Sequence, residues 1–376
     1  MGPFAFRTAG RILFGRGMAA QAAGEIAALG TRVLLVRGGH GFADVLAGDL
    51  TAAGCAVLQI RGRGEPDLPT LEDALAQAHA FGPTVVVAVG GGSVIDLGKA
   101  LAALVPAPGP VLDHLEVVGK GLPLVAAPLP FVALPTTAGT GAEVTKNAVI
   151  GVPDHARKVS LRDDRMLPDL ALVDPALTDD CPRAVTLASG LDAVTQVIEP
   201  YLSAKANPMT DALCAAAIPR GLAALARLMQ AEDAGARDDM ALVSMCGGIA
   251  LANAGLGAVH GLAGVIGGRY GAAHGAICGR LLVPVLRTNA AAMRAAGMDM
   301  ARMAQVQGWI GAVFGADDPL ARFQGWIDVQ GLPRMADMAP GLAAAEVAQA
   351  SAASSSMKGN PVPLDAETLV QLLESA

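Results

Sequence analysis

The chain has 376 residues, enough for two domains of ordinary size; only 16% are charged while 53% are hydrophobic and 3% aromatic, so the core is built from aliphatic and small side chains. A net charge of −7 opposes affinity for a phosphate backbone, and no nucleic-acid partner is expected. Five scattered cysteines without CxxC spacing exclude a disulfide framework and a thiolate-rich zinc site, leaving them as buried small side chains. In the opening stretch, MGPFAFRTAGRILFGRG, no continuous apolar run stands out. No secretory signal is expected there, and the location read from it is cytoplasmic.

From Thr31 to Asp174, β-branched runs alternate with helical patterns: TRVLLV, FADVLAGDLTAAG, CAVLQI, TLEDALAQAHAF, TVVVAV and SVIDLGKALAAL. This is the rhythm of a parallel sheet with helices on both faces. FVAL, NAVIGV, KVSLRD and DLALVD continue the strand content. TRVLLV is followed by Arg37, Gly38, Gly39 and His40 rather than by an acid. An acid there would hold the ribose 2′-OH of NAD, so NADP is permitted, with Arg37 or His40 open to meet a 2′-phosphate.

Gly90-Gly91-Gly92-Ser93 follows TVVVAV and opens a helix carrying Asp96. Glycines allow close approach of backbone to a ligand, and a helix N-terminus favours a phosphate, although a tight strand-to-helix turn needs the same residues. GxGxxG is absent. Strand FVALP then runs into Thr136-Thr137-Ala138-Gly139-Thr140, a hydroxyl-rich loop that suits ribose or phosphate oxygens or a simple capped turn. Two such loops in one sheet favour a nucleotide.

The uncharged stretch from Leu122 to Ala142 holds four prolines and is not read as a membrane span. After DPALTDDCP the pattern turns helical to the end, placing an α/β dinucleotide-binding domain at residues 1–180 and an all-helical domain at 181–376. Met240 to Gly268 is apolar but rich in glycine and carries Asn253 and His260, which reads as a buried helix leading into a turn. Asp192 and Gln196, at i and i+4, share a helix face, and His260 and His274 lie in a glycine-rich segment. One carboxylate, one amide and two imidazoles suit a divalent first-row metal. The same residues also fit a helix cap and backbone hydrogen bonds.

GGGSVIDLGKA, LPTTAGTGAEVT, SGLDAVTQVIEPYLS, GLGAVHGLAGVIGGRYGAAHG and the closing GNPVPL resemble the iron-containing, or group III, alcohol dehydrogenase family over nearly the whole chain. The resemblance implies a Rossmann-like α/β domain followed by a helical metal domain, and oxidoreduction of small alcohols and carbonyls with NAD or NADP. It places cofactor contacts at Gly38, Gly90, Gly91, Gly92, Ser93, Asp96, Thr136, Thr137, Thr140, Lys158 and Leu177. It places metal ligands for Fe²⁺ or Zn²⁺ at Asp192, Gln196, His260 and His274. Two positions depart from it: many members carry His where this chain has Gln196 and another where it has Gly264. With the metal expected to do the electrostatic work, no side chain is assigned as general acid.

A metal-independent reductase resembling maleylacetate reductases is the competing enzyme reading, with Arg269 or Arg280 as anion partner. A lyase of the dehydroquinate-synthase type and a nonenzymatic nucleotide binder complete the alternatives. The low charge leaves apolar surface for a homo-oligomer, a dimer being expected, and no membrane partner is expected.

Overall fold

Strand-forming residues that are apolar on both faces need cover on both faces, and the chain supplies it by alternating strands with helices. The computed structural model describes residues 2–376. It divides the chain into two compact units.

The first unit holds residues 8–137 and 141–179. Its strands are β1 (Arg11–Phe14), β2 (Arg32–Arg37), β3 (Ala56–Arg61), β4 (Val85–Gly90), β5 (Phe131–Pro135), β6 (Asn147–Val152), β7 (Arg157–Arg162) and β8 (Leu170–Val173). Its helices are α1 (Ala22–Leu29), α2 (Phe42–Ala52), α3 (Leu68–Phe81), α4 (Gly92–Leu104) and the single turn α5 (Val111–His114). Six strands form one parallel sheet in the order β1-β8-β5-β4-β2-β3. Side chains alternate across it. Leu34, Val36, Val86, Ala88 and Ala133 pack on one face with Leu71, Ile95 and Leu101, whereas Val33, Leu35, Val87, Val132 and Leu134 pack on the other with Ile26, Leu46 and Leu50.

The strand content is completed in two ways that periodicity does not specify. NAVIGV and KVSLRD do not extend the parallel sheet: β6 and β7 pair antiparallel as a separate ribbon. The reason lies in the connection, since parallel neighbours need a long crossover and only the four residues 153–156 separate these strands, enough for a hairpin. Conversely, RILF near the N-terminus, too short for a periodic signal, becomes β1 because β8 offers it a free edge.

The helical unit contains the segment ending at Arg7, residues 138–140 and residues 180–376. It is built from α6 (Arg183–Leu202), α7 (Pro208–Leu228), α8 (Ala234–Ala254), α9 (Ala258–Tyr270), α10 (His274–Ala295), α11 (Ala301–Phe314), α12 (Pro319–Val329), α13 (Met335–Met338), α14 (Ala344–Ala352) and α15 (Ala366–Ser375). Central α6 packs against α7, α8 and α10 and is buried almost throughout from Gly190 to Leu202. The segment Met240–Gly268 is two helices rather than one: α8 and α9 meet at a bend of 100° around Gly255-Leu256-Gly257. Among the described residues, α7 alone is long and apolar enough to cross a membrane by length and composition, while α8 and α9 pass that test only as the bent pair. In the fold, α7 contributes Cys214, Ile218, Leu222 and Leu225 to the helical core.

Candidate metal centre and dinucleotide cradle

Strand order reverses between β2 and β4, and the carboxyl ends of strands at such a switch point form the crevice where nucleotides bind in open α/β sheets. Gly38 and Gly90 stand side by side there, with the Gly38 N–H donating to the Val89 carbonyl at 2.9 Å. A Cβ on Gly90 would come within 2.6 Å of Val94, so only glycine lets β4 turn directly into α4. Gly91 is the N-cap of α4 and brings no side-chain cap to its first turn, leaving the helix end open to an anion. Gly92 and Ser93 form that first turn. The Thr136 N–H donates to the Gly90 carbonyl at 3.0 Å, and the Thr137 hydroxyl lies beside Gly91, so the threonine loop borders the glycine turn.

The other expected cofactor residues are placed as follows. Asp96 accepts a hydrogen bond from the Val149 N–H at 3.0 Å and lies 3.4 Å from Lys99 Nζ, tying α4 to the ribbon. Burial raises its carboxyl above the usual range. Lys158 pairs with Glu65, and Leu177 is buried in a short turn after β8. Thr140 belongs to the helical unit, where its carbonyl accepts from the Gln196 amide at 2.6 Å. Arg37 is engaged by Asp44 and by Gln59, and His40 Nδ1 accepts from the Phe42 N–H. The acid absent from the strand end thus stands seven residues later, where Asp44 pairs with Arg37.

In the helical unit, three expected ligands converge with one that was not expected. Asp192 Oδ1 lies 3.3 Å from His260 Nε2 and 3.8 Å from His274 Nε2, and Cys278 Sγ lies 3.6 Å from His274 Nε2. One donor atom from each of Asp192, His260, His274 and Cys278 lies within 4.8 Å of all the others. Glycine brings the elements together: a Cβ on Gly275 would come within 2.5 Å of the Ala188 carbonyl, and one on Gly279 within 2.7 Å of Leu191. These two positions, one turn apart, let α10 lie directly on α6 and carry His274 and Cys278 up to Asp192.

His260 is held from behind. Its Nδ1 lies 2.6 Å from Glu199 Oε2, while Glu199 Oε1 accepts from the Val259 N–H at 2.7 Å and Asn360 Oδ1 accepts from the Ala258 N–H at 3.1 Å. Asn360 is itself paired with Asn289 through both amides. Glu199 and Asn360 thus fill the role of an N-cap for α9 and fix the ring of its third residue. A Cβ on Gly257 would lie 2.8 Å from Glu199 Oε1, which explains the glycine at this bend.

Burial favours the neutral imidazole, but the Cys278 sulfur and the carboxylates of Asp192 and Glu199 outweigh it and raise His260 well above its usual range; Cys278 and Asp192 likewise raise His274 to about 9. Burial pushes Asp192 up, yet the two imidazoles pull it below the ordinary carboxylate range. The residues fit a divalent cation: Asp192 Oδ1 and His260 Nε2 are buried, face each other and have no hydrogen-bond partner, a costly arrangement unless something electropositive lies between them.

Gln196 shares the Asp192 face of α6, its amide nitrogen donating to the Thr140 carbonyl and its oxygen being the atom a metal would bind. Around Gly264 a Cβ would meet nothing within 4 Å, so the expected departure leaves open space. Arg269 pairs with Glu346, and Arg280 is buried against Asp328 and the carbonyls of Leu332 and Pro333. Both arginines are thus paired with an acid, Arg280 inside the fold and Arg269 at a part-exposed position. The sequence reading missed Glu199 and Cys278. Each carries a periodic signal: Glu199 lies seven residues after Asp192, two turns along the same helix face, and Cys278 one turn after His274.

A family model described as iron-containing alcohol dehydrogenase matches residues 9–175, and one described as the C-terminal part of the Fe-containing alcohol dehydrogenase family matches 186–376. Long-chain-alcohol dehydrogenase 1 of Geobacillus thermodenitrificans is 41% identical over 56% of this chain and 53% of its own length, so the chain spans about half of that relative. The 1-propanol dehydrogenase PduQ of Salmonella typhimurium is 32% identical over 82% of each chain. Among solved structures, a 1,3-propanediol oxidoreductase superposes over 100% of both chains with a TM-score of 0.89 and 27% identity. An iron-containing alcohol dehydrogenase of Thermococcus thioreducens superposes over 99% of both with a TM-score of 0.86 and 26% identity.

Proposed function

The chain belongs to the iron-containing alcohol dehydrogenase family, and from that premise we propose that it interconverts small alcohols with their aldehydes or ketones, using NAD or NADP and a divalent metal. The observation that carries the reading is the buried pair of unpartnered atoms, Asp192 Oδ1 and His260 Nε2, with His274 beside them. When bound, the metal supplies Lewis-acid polarisation of the substrate oxygen and the nicotinamide supplies the hydride carrier.

The protein's own residues prepare those groups. Asp192, His260 and His274 would hold the metal, and Glu199 turns the Nε2 atom of His260 toward it by engaging Nδ1. Gly38, Gly90 and Gly91 keep side chains away from the switch-point crevice, and the open first turn of α4 offers N–H groups and its dipole to a pyrophosphate. Thr136 and Thr137 border this crevice with hydroxyls. Because position 264 carries no imidazole, no side chain is assigned to proton transfer, and solvent is left as the proton acceptor. A homodimer in the cytoplasm is part of the same proposal.

Following NADH and NADPH oxidation by a panel of aldehydes, before and after chelation and after re-addition of Fe²⁺ or Zn²⁺, tests it. Activity is expected to fall on chelation and return with metal. Undiminished turnover by metal-free protein overturns the metal's part, and binding of either dinucleotide without turnover of any carbonyl overturns the enzyme.

A further inference from the structure

We infer that the Cys278 sulfur is a protein donor of this centre, so that the chain holds its metal through two imidazole nitrogens, one carboxylate oxygen and one thiolate. The inference rests on the metal-dependent reading of the same site and specifies its donor set. For a tetrahedral ion with bonds of roughly 2.0–2.1 Å to nitrogen or oxygen and about 2.3 Å to sulfur, neighbouring donors stand about 3.4 Å apart, or about 3.6 Å where one is sulfur. The spacings here are 3.3 Å for Asp192 to His260, 3.8 Å for Asp192 to His274 and 3.6 Å for His274 to Cys278. These three spacings fall within about 0.4 Å of that arrangement, and all four donor atoms lie within 4.8 Å of one another.

A further observation separates Cys278 from an ordinary core cysteine. The atoms it closes around, Asp192 Oδ1 and His260 Nε2, are buried and lack hydrogen-bond partners. Gln196 has its amide nitrogen on the Thr140 carbonyl at 2.6 Å and is wedged against Gly247, where even a Cβ would come within 3.3 Å of that nitrogen. That hydrogen bond fixes the orientation of the amide and leaves its oxygen as the atom a metal would bind, so the Gln196→Ala protein decides whether Gln196 takes part. On metal binding the S–H bond breaks, its proton leaves to solvent and the electron pair forms the sulfur–metal bond. A thiolate makes the set softer, which favours Zn²⁺ over Fe²⁺.

Co²⁺ is the probe, because a thiolate bound to it gives an intense sulfur-to-cobalt charge-transfer absorption that nitrogen and oxygen donors do not. The full-length protein, stripped and reloaded with one equivalent of Co²⁺, is expected to show that band, and Cys278→Ser to lose it while remaining folded by circular dichroism. Gln196→Ala is expected to keep both metal and band. Since loss of an outer-shell partner alone costs about 10–100-fold in affinity, Cys278→Ser is expected to weaken Zn²⁺ binding by at least that and to narrow the preference for Zn²⁺ over Fe²⁺. Co²⁺ bound without the band in the native protein, a band that survives Cys278→Ser, or a folded Gln196→Ala protein that no longer holds Co²⁺ overturns the inference and leaves the metal-dependent reading standing. Failure of the native protein to take up Co²⁺ or Zn²⁺ overturns both.

Discussion

The Nδ1 atom of His260 lies 2.6 Å from Oε2 of Glu199, and this contact between α9 and α6 decides which nitrogen of the ring faces the metal-ligating cluster. Replacing the carboxylate by an amide reverses the preferred proton position, because an amide N–H asks Nδ1 to accept and leaves the proton on Nε2. Glu199→Gln is expected to lower Zn²⁺ affinity by about 10–100-fold, read by competition with a chromophoric chelator. Equal affinity in the variant would show that the ring is set by packing alone.

Gly90 and Gly91 separate folding from binding. Gly90→Ala places a methyl within 2.6 Å of the Val94 side chain and is expected to cost roughly 1–3 kcal/mol in urea unfolding. At Gly91 the nearest atom to an added Cβ is Thr137 Oγ1 at 3.2 Å, and φ is −74°. Gly91→Ala should therefore fold with near-native stability while its methyl intrudes on the open end of α4, weakening NADH on the order of tenfold, about 1.4 kcal/mol. Calorimetric titration reads the second effect, and native affinity in folded Gly91→Ala would move the pyrophosphate elsewhere.

Glu143 gives stability a pH dependence of known sign. Burial raises its carboxyl from 4.5 to about 7, with Lys99 pulling only partly the other way. Below pH 4.5 the carboxyl is protonated in both folded and unfolded chains; between 4.5 and 7 the unfolded chain releases the proton first, so the stabilising contribution is lost as pH rises through that window. The native protein is expected to lose roughly 1–3 kcal/mol more than Glu143→Gln between pH 5 and pH 8 in paired urea melts. Parallel curves for the two proteins would place this part of the pH dependence in other groups.

Gly264 sits inside α9 with nothing within 4 Å of an added Cβ. Gly264→Ala is expected to stabilise the protein by about 0.5–1 kcal/mol through the unfolded chain's lost freedom, visible as a higher Tm. A lower Tm would reveal a clash that the open space does not suggest.

Asp44 holds the guanidinium of Arg37 at the end of β2. Asp44→Ala releases that charge next to Gly38, and the ratio of NADH to NADPH dissociation constants is expected to shift severalfold toward NADPH. An unchanged ratio would place the ribose away from β2.

Much of this protein could be read directly from its order of residues. Alternating valine-rich runs and amphipathic helices specify a covered parallel sheet, because each pattern meets its own local period. The glycine triplet at residues 90–92, at a strand end, marks where backbone must pass close to something, and the paired histidines among glycines mark a second such place. The antiparallel ribbon of β6 and β7 was less accessible, since β-branched composition says nothing of a strand's partner. The engagement of Arg37, Arg269 and Arg280 was hidden for the same reason, their acids lying seven to seventy-seven residues away.

By itself, then, the sequence determined the periodic elements, their division into an α/β and a helical part, and three metal-capable side chains, Asp192, His260 and His274. Only the tertiary structure decided which atoms meet. Gly275 and Gly279 let α10 lie on α6, and through that approach Cys278 joins the cluster while Gln196 turns to Thr140. Periodicity fixes the face a residue occupies within its own helix; the close packing of one helix on another fixes what that face touches.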